Sequence, residues 1–320
     1  MAENTNAVAQ TGQTGLAKLK AMLEAPSVQE QFQNALAENK NQFIASIIDL
    51  YNGDKSLQEC KPSAILQECL KAAVLDLPIN KALGFAYIVV YKNKRKVTDP
   101  QTGRTEYVVE PTPTFIPGYK GYIQLAMRTG QYRTINADLV YEGELRTVNR
   151  LSGEVALDGK KTSDKVVGYF CYFELLNGYS KTLYMSVEDM AAYAKRYAPG
   201  IKRDTTIPQL IAKANDGIVS KSVGWEGNFN DMALKTVIRR LISKYGYLSI
   251  KMQSAIGHDA DSENRALAAR NDTLQIANES TQTLAIDETD YEEVVDTETG
   301  EVTTEAKQPA QSAEAPTPDY

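Results

Sequence analysis

The sequence predicts a mixed α+β body, a central antiparallel sheet with a hairpin flap packed by helices. A short flexible arm precedes the body, and an acidic tail without regular structure follows it. Apolar residues recur at helical spacing from about Leu16 to Lys81 and again from Val187 to Tyr245. Between these stretches, short β-branched and aromatic runs alternate with turn signals. Charge also divides the chain: residues 257–320 hold sixteen acids against three bases, net −13, while the first 256 hold 32 bases against 25 acids, net +7. The expected organisation is therefore an arm over 1–25, a basic body over 26–256 and a tail over 257–320.

Taken in order, Leu16, Leu19, Met22 and Leu23 form one helical stripe, and Phe43, Ile47, Ile48 and Tyr51 another. Pro62 and Ser63 open a helix that runs to Val74. Gly84–Tyr91, GFAYIVVY, is a buried strand. The flap follows, with Asp99-Pro100 and Thr102-Gly103 as turn signals and Thr114–Pro117 as the return strand. A short helix starts near Tyr119. Strands are expected at Ile135–Tyr141, Val166–Leu175 and Thr182–Ser186, with Asn177-Gly178 turning between the last two. Helices resume over Val187–Tyr197, Ile207–Ala214 and Met232–Tyr245. Beyond about Glu288 the tail is acidic, rich in Thr and Pro, and too poor in large apolar residues to offset the entropy of ordering.

Several function classes find no support. No run of eighteen apolar residues predicts a transmembrane helix, and the first fifteen residues do not read as a secretory signal. Cys60, Cys69 and Cys171 are odd in number, match no zinc spacing and read as reduced, buried thiols of a cytoplasmic protein. No G-x-x-x-x-G-K-[ST] loop occurs; Gly217–Ser222, GIVSKS, has the wrong spacing. His258 is the only histidine, which disfavours a Ser-His or Cys-His nucleophile. A magnesium-dependent nuclease would need carboxylates such as Asp138, Glu142 and Glu144 gathered by the fold.

The basic residues are more telling. On a helix over 232–245, Leu234, Val237, Ile238, Leu241, Ile242 and Tyr245 share one arc. Lys235, Arg239, Ser243, Thr236, Arg240 and Lys244 fill the other, with no acid among them. Lys235/Arg239 and Arg240/Lys244 are i,i+4 pairs of like charge, each costing a few tenths of a kcal/mol. A polyanion would neutralise them; so would acids from elsewhere in the chain. Near Tyr119 and Tyr122, which offer stacking surface or core, Lys120, Gln124 and Arg128 stand one above another, and Gly121 leaves room for close approach. Lys92, Lys94, Arg95 and Lys96 sit at the base of the flap. Lys195, Arg196, Lys202 and Arg203 surround Tyr197, and Lys221 precedes the single Trp225. Cations interleaved with aromatics and glycine suit a groove for single-stranded nucleic acid.

Three blocks carry a resemblance to a known family. These are ECLKAAVLDLPINKALGFAYIVVYKNK (Glu68–Lys94), FIPGYKGYIQLAMRTGQYRTINADLVYEGE (Phe115–Glu144) and WEGNFNDMALKTVIRRL (Trp225–Leu241). In this order they resemble the phage-encoded RecT family of single-strand annealing proteins, and the likeness covers about Pro26 to Ile250. The resemblance implies ATP-independent binding of single-stranded DNA, pairing of complementary strands, and assembly of copies into rings or filaments. It also implies a core similar in shape to ring-forming annealing proteins, and work beside a 5′–3′ exonuclease. Annealed duplex and a host single-strand-binding protein are further candidate partners, and magnesium a candidate modulator; no cofactor is expected to be required. Alternatives are a magnesium-dependent nuclease using Asp138 or Glu142, and a non-catalytic scaffold binding acidic partners.

Overall fold

Proline and short polar side chains set the starts of the helices. The structure, a computed structural model, describes residues 15–98, 105–198, 201–202, 204–216, 224–271, 291–295 and 302–306. Helix α1 (15–24) leads into α2 (Pro26–Leu36), α3 (Lys40–Gly53), α4 (Lys55–Gln58) and α5 (Pro62–Val74). Pro26 and Pro62 stand in the first turn, where a missing N–H leaves no intrahelical bond unmade. Asp54 caps α4 by accepting the Ser56 N–H. The predicted stripes are real: Leu19, Leu23, Phe43, Ile47 and Tyr51 are buried in the one core that runs through the body.

Strands β1 (Ala86–Thr98) and β2 (Thr105–Pro117) form the flap, an antiparallel hairpin in register from Ala86 opposite Pro117 to Thr98 opposite Thr105. The return strand starts at Thr105, earlier than Thr114. Glu68 of α5 anchors its base, accepting the Phe115 N–H at 2.8 Å and the Lys71 ammonium at 2.6 Å. Gly118 then turns the chain into α6 (Tyr119–Met127). Close approach at Gly121 is real, but the approaching group is the Phe85 carbonyl, which a Cβ there would strike.

A three-stranded antiparallel sheet follows, in the order β3 (Tyr132–Tyr141), β6 (Val166–Leu175), β7 (Ser180–Ser186). Gly178, at φ 84°, makes the β6–β7 turn. The β3–β6 connection carries a small hairpin, β4 (Thr147–Val148) with β5 (Val155–Ala156), too short for periodicity to predict. Ser186 caps α7 (Val187–Tyr197), and Thr206 with Gln209 forms a capping box on α8 (Ile207–Asn215). Asn228 caps α9 (Phe229–Tyr245), which therefore begins before Met232. Helix α9 lays its apolar arc on the sheet and against α6.

Helix α10 (Ile250–Asn271) runs through the predicted boundary at 256/257, and the chain divides instead into one unit ending at Thr273 and another beginning at Leu274. In the second unit β8 (Tyr291–Val295) pairs antiparallel with β9 (Val302–Ala306), so these ten residues hold a hairpin where composition predicts no regular structure. The expectations for residues 1–14, for the flap turn at 99–104 and for the rest of the tail fall outside the described residues. Among the described residues no helix is long and apolar enough to cross a membrane. The three cysteines are free and buried; burial pushes their thiols up, Cys60 to about 11 and Cys171 to about 12.

Candidate nucleic-acid interface

Helix α9 does not present its four cations as one exposed face. Lys235 is buried, 5% exposed, and its ammonium meets Asp259 Oδ1 of α10 at 2.5 Å. Arg239 donates to Asp259 Oδ2 at 2.7 Å, to Glu263 Oε2 at 2.9 Å and to the Tyr193 hydroxyl at 3.3 Å. Asp259 is 1% exposed and also accepts the Tyr122 hydroxyl at 3.1 Å. Burial pushes its carboxyl up, but Lys235 and Arg239 outweigh that and hold it below the usual carboxylate range. Burial tends to lower Arg239; Asp259 and Glu263 overcome that and raise it. The acids that the 232–251 segment lacks thus come from α10, in the stretch assigned to the tail. A signal for this existed: Asp259/Glu263 are spaced i,i+4, like Lys235/Arg239.

The other two cations of α9 stay exposed. Arg240 rests 5.4 Å from the Tyr193 ring centroid and Lys244 5.1 Å from that of Tyr245. Lys181 of β7 approaches the same Tyr245 ring at 5.6 Å, and Arg196 lies 5.2 Å from Tyr197. Among the described residues no carboxylate lies within ion-pair distance of Arg196, Arg240, Lys244 or Lys181. Tyr193 and Tyr197 pack against each other with centroids 4.8 Å apart and ring planes tilted by 43°. The result is a row of cations seated on tyrosines, drawn from α7, α9 and β7.

Beside this row, Tyr193, Tyr197 and Trp225 line a small cavity that shares Tyr91, Ile116, Gly224 and Met232 with a larger cleft of about 680 Å³. The larger cleft lies between the loop at Gly84, strand β1 and the starts of α6 and α9. Its walls include Tyr87, Tyr119, Lys120, Asn228 and Asp231. Burial, then Asp231, raises the Tyr87 and Tyr119 phenols, and burial, then Asp259 and Glu263, pushes Tyr91 to about 12. All three rings are therefore neutral at physiological pH and offer uncharged faces. Burial also raises Asp231, against a hydrogen bond from Asn228 and the nearby charge of Lys120.

The remaining predicted residues scatter. Tyr122 is fully buried and belongs to the core, not to a stacking surface. Thr236 is buried and bonds the Met232 carbonyl at 2.8 Å. Arg128 donates to the Leu75 and Asp76 carbonyls and pairs with the Asp76 carboxylate at 3.3 Å, closing the end of α5. Gln124 is half-buried on α6. Lys195 bonds the Thr205 carbonyl at 2.7 Å, and Lys202 is exposed in a separate dish with Asp204 and Lys213. Lys92 is exposed, 3.3 Å from Glu59. Trp225 is only 8% exposed and packs edge-on against Phe229 at 5.2 Å. The side chains of Lys94, Arg95 and Lys96, and residues Arg203 and Lys221, lie outside what is described.

Sequence reasoning missed Tyr87, Tyr91, Tyr193, Lys181 and Asp231. The period-two spacing of Tyr87 and Tyr91 marked a shared strand face, but nothing local tied Tyr91 to α7 or Tyr87 to the starts of α6 and α9. The nuclease carboxylates are occupied separately: Asp138 and Glu144 accept the Leu139 and Tyr141 N–H groups at 2.8 Å, and Glu142 the Ser163 hydroxyl at 2.8 Å.

Comparison with known proteins identifies the family of the chain. The model of the RecT family matches residues 41–273. The chain is 36% identical over 272 residues to "Uncharacterized protein YqaK" of Bacillus subtilis (strain 168), covering 85% of this chain and 79% of that one. It is 25% identical over 249 residues to "Protein RecT" of Escherichia coli (strain K12), covering 75% and 79%. With three ordered sequence blocks, an α+β body and a family match across most of its length, the chain belongs to the RecT family.

Proposed function

We propose that this protein binds single-stranded DNA and anneals complementary strands in homologous recombination, without using ATP. Membership of the RecT family supports the annealing activity. The observation that carries the reading is the row Arg196, Arg240, Lys244 and Lys181, each cation resting on a tyrosine ring and none held by a carboxylate among the described residues. Cations of this kind take backbone phosphates, and the rings beside them stack bases of any identity. Holding the backbone leaves base edges free to find a complement. No step is assigned to a catalytic residue; phosphate contacts and stacking suffice for pairing.

The wider reading is that of a phage or prophage recombinase acting in the cytoplasm as a ring or filament of copies. A 5′–3′ exonuclease would supply its strand, and a host single-strand-binding protein would meet it there. Magnesium enters only as a modulator of DNA charge. The test is to mix two complementary strands with the protein, without nucleotide, and to follow duplex formation. Pairing faster than without protein, and unchanged by ATP, is the expected result. Binding with no gain in pairing rate would reduce the protein to a strand-binding module, and absence of binding would overturn the reading.

A further inference from the structure

The cleft at the Gly84 end is built for more than phosphate. Its volume of about 680 Å³ lies in the range of small-molecule sites. Tyr87 and Tyr119 line it, and Lys120 lines it too, 5.9 Å from the Tyr119 ring centroid and with no carboxylate within ion-pair distance among the described residues. Asp231 brings a half-buried carboxylate into the same wall. Asn228 fixes its orientation from two sides: the amide donates to Asp231 Oδ2 at 2.5 Å, and the amide oxygen accepts the Asp231 N–H at 3.2 Å. That leaves Asp231 Oδ1 as an acceptor with no hydrogen-bond partner among the described residues. Gly84 keeps the space open. Its φ of 74° suits glycine, and a Cβ there would come within 3.2 Å of the Tyr87 hydroxyl and 3.4 Å of Lys120 Cδ.

We propose that this cleft takes one nucleobase out of the bound strand, a base bearing an exocyclic amino group, with its phosphate on Lys120. The proposal rests on the single-strand reading above and adds a preference to it. Cytosine N4 or adenine N6 donates to the Asp231 carboxylate, as acidic side chains do when they read cytosine. The base plane stacks on Tyr119. Thymine has no exocyclic amino group: in the same pose it places its O4 carbonyl where cytosine places N4, and its one donor on that edge, N3–H, is displaced from the carboxylate. Binding along the cation row is sequence-blind, so a preference of this kind has to come from the cleft.

The experiment compares, on the full-length protein, an oligo-dT with the same oligonucleotide carrying cytosines at intervals. The expected result is about tenfold tighter binding with the cytosines. The gap should close in Asp231→Asn, whose amide can donate to thymine as well. Tyr119→Ala provides an independent check: it should abolish the fluorescence change of a 2-aminopurine placed in the strand while the strand still binds. Equal affinity for the two oligonucleotides in the unaltered protein, with salt-dependent binding intact, would overturn the cleft assignment and leave strand binding standing. Failure to bind either oligonucleotide would overturn both.

Discussion

Replacing Asp259 tests whether α9 and α10 are held by charge or Lys235 is a DNA contact. The carboxylate is 1% exposed and carries Lys235, Arg239 and Tyr122 together. Asp259→Ala leaves an ammonium with 7% of its side chain exposed without its partner, and leaves Arg239 with Glu263 and the Tyr193 hydroxyl. Breaking a buried pair in this way costs about 3–5 kcal/mol, a large share of the roughly 5–15 kcal/mol that holds a domain folded. Glu263 is 31% exposed at its side chain, so Glu263→Ala should cost only about 1 kcal/mol or less. The assay is urea unfolding of the full chain. With a slope of about 2–3 kcal/mol per molar, the Asp259→Ala midpoint should fall by about 1–2 M and that of Glu263→Ala by a few tenths. Lys235→Met should cost much less in the Asp259→Ala background than alone, because both changes remove the same interaction. A loss under about 1 kcal/mol for Asp259→Ala at unchanged slope would refute the reasoning. So would a Lys235→Met protein of full stability that no longer binds DNA.

Four further outcomes are expected. Arg240→Ala and Lys244→Ala should each weaken single-strand binding alike across sequences and lower the slope of log affinity against log salt by about 0.7, with the thermal midpoint unchanged; salt titrations by fluorescence anisotropy read this. Tyr122→Phe should cost about 1–2 kcal/mol through the hydroxyl lost to Asp259 and leave DNA affinity alone, measured by unfolding and binding on the same sample. Because the folded-state pKa of Asp259 is lowered, its contribution to stability is present above the unfolded value near 3.9 and is lost as pH falls through the folded one; Asp259→Asn should flatten that acid limb in unfolding series. Asp231 carries the opposite sign. Its raised pKa means that stability present below the unfolded value is lost as pH rises through the folded value, and Asp231→Asn should remove that decline.

The α9 helix shows how far local pattern reaches. Its apolar arc was legible at 3.6-residue spacing, and the structure buries Leu234, Val237, Ile238, Leu241 and Ile242. Its polar arc was legible as acid-free, but two opposite environments share it. Lys235 and Arg239 face α10 and are neutralised, while Arg240 and Lys244, one residue on in phase, face solvent and tyrosines. Acids from elsewhere in the chain neutralise Lys235 and Arg239, and among the described residues none comes within ion-pair distance of Arg240 or Lys244. Tyr119 and Tyr122 divide in the same way, one on the cleft wall and the other beneath it on Asp259.

By itself the sequence determined the order and type of most elements, the turn at Asn177-Gly178, the flap and the three blocks of the RecT family. Each of these depends on residues close together in the chain, where spacing, propensity and capping act directly. Tertiary structure alone decided which cations remain available to a ligand. The counter-charges for Lys235 and Arg239 lie 20 to 24 residues away on another helix, and the rings under Arg240 and Lys181 come from α7 and α9. Charge acts through space at a few ångströms, and only packing sets those distances.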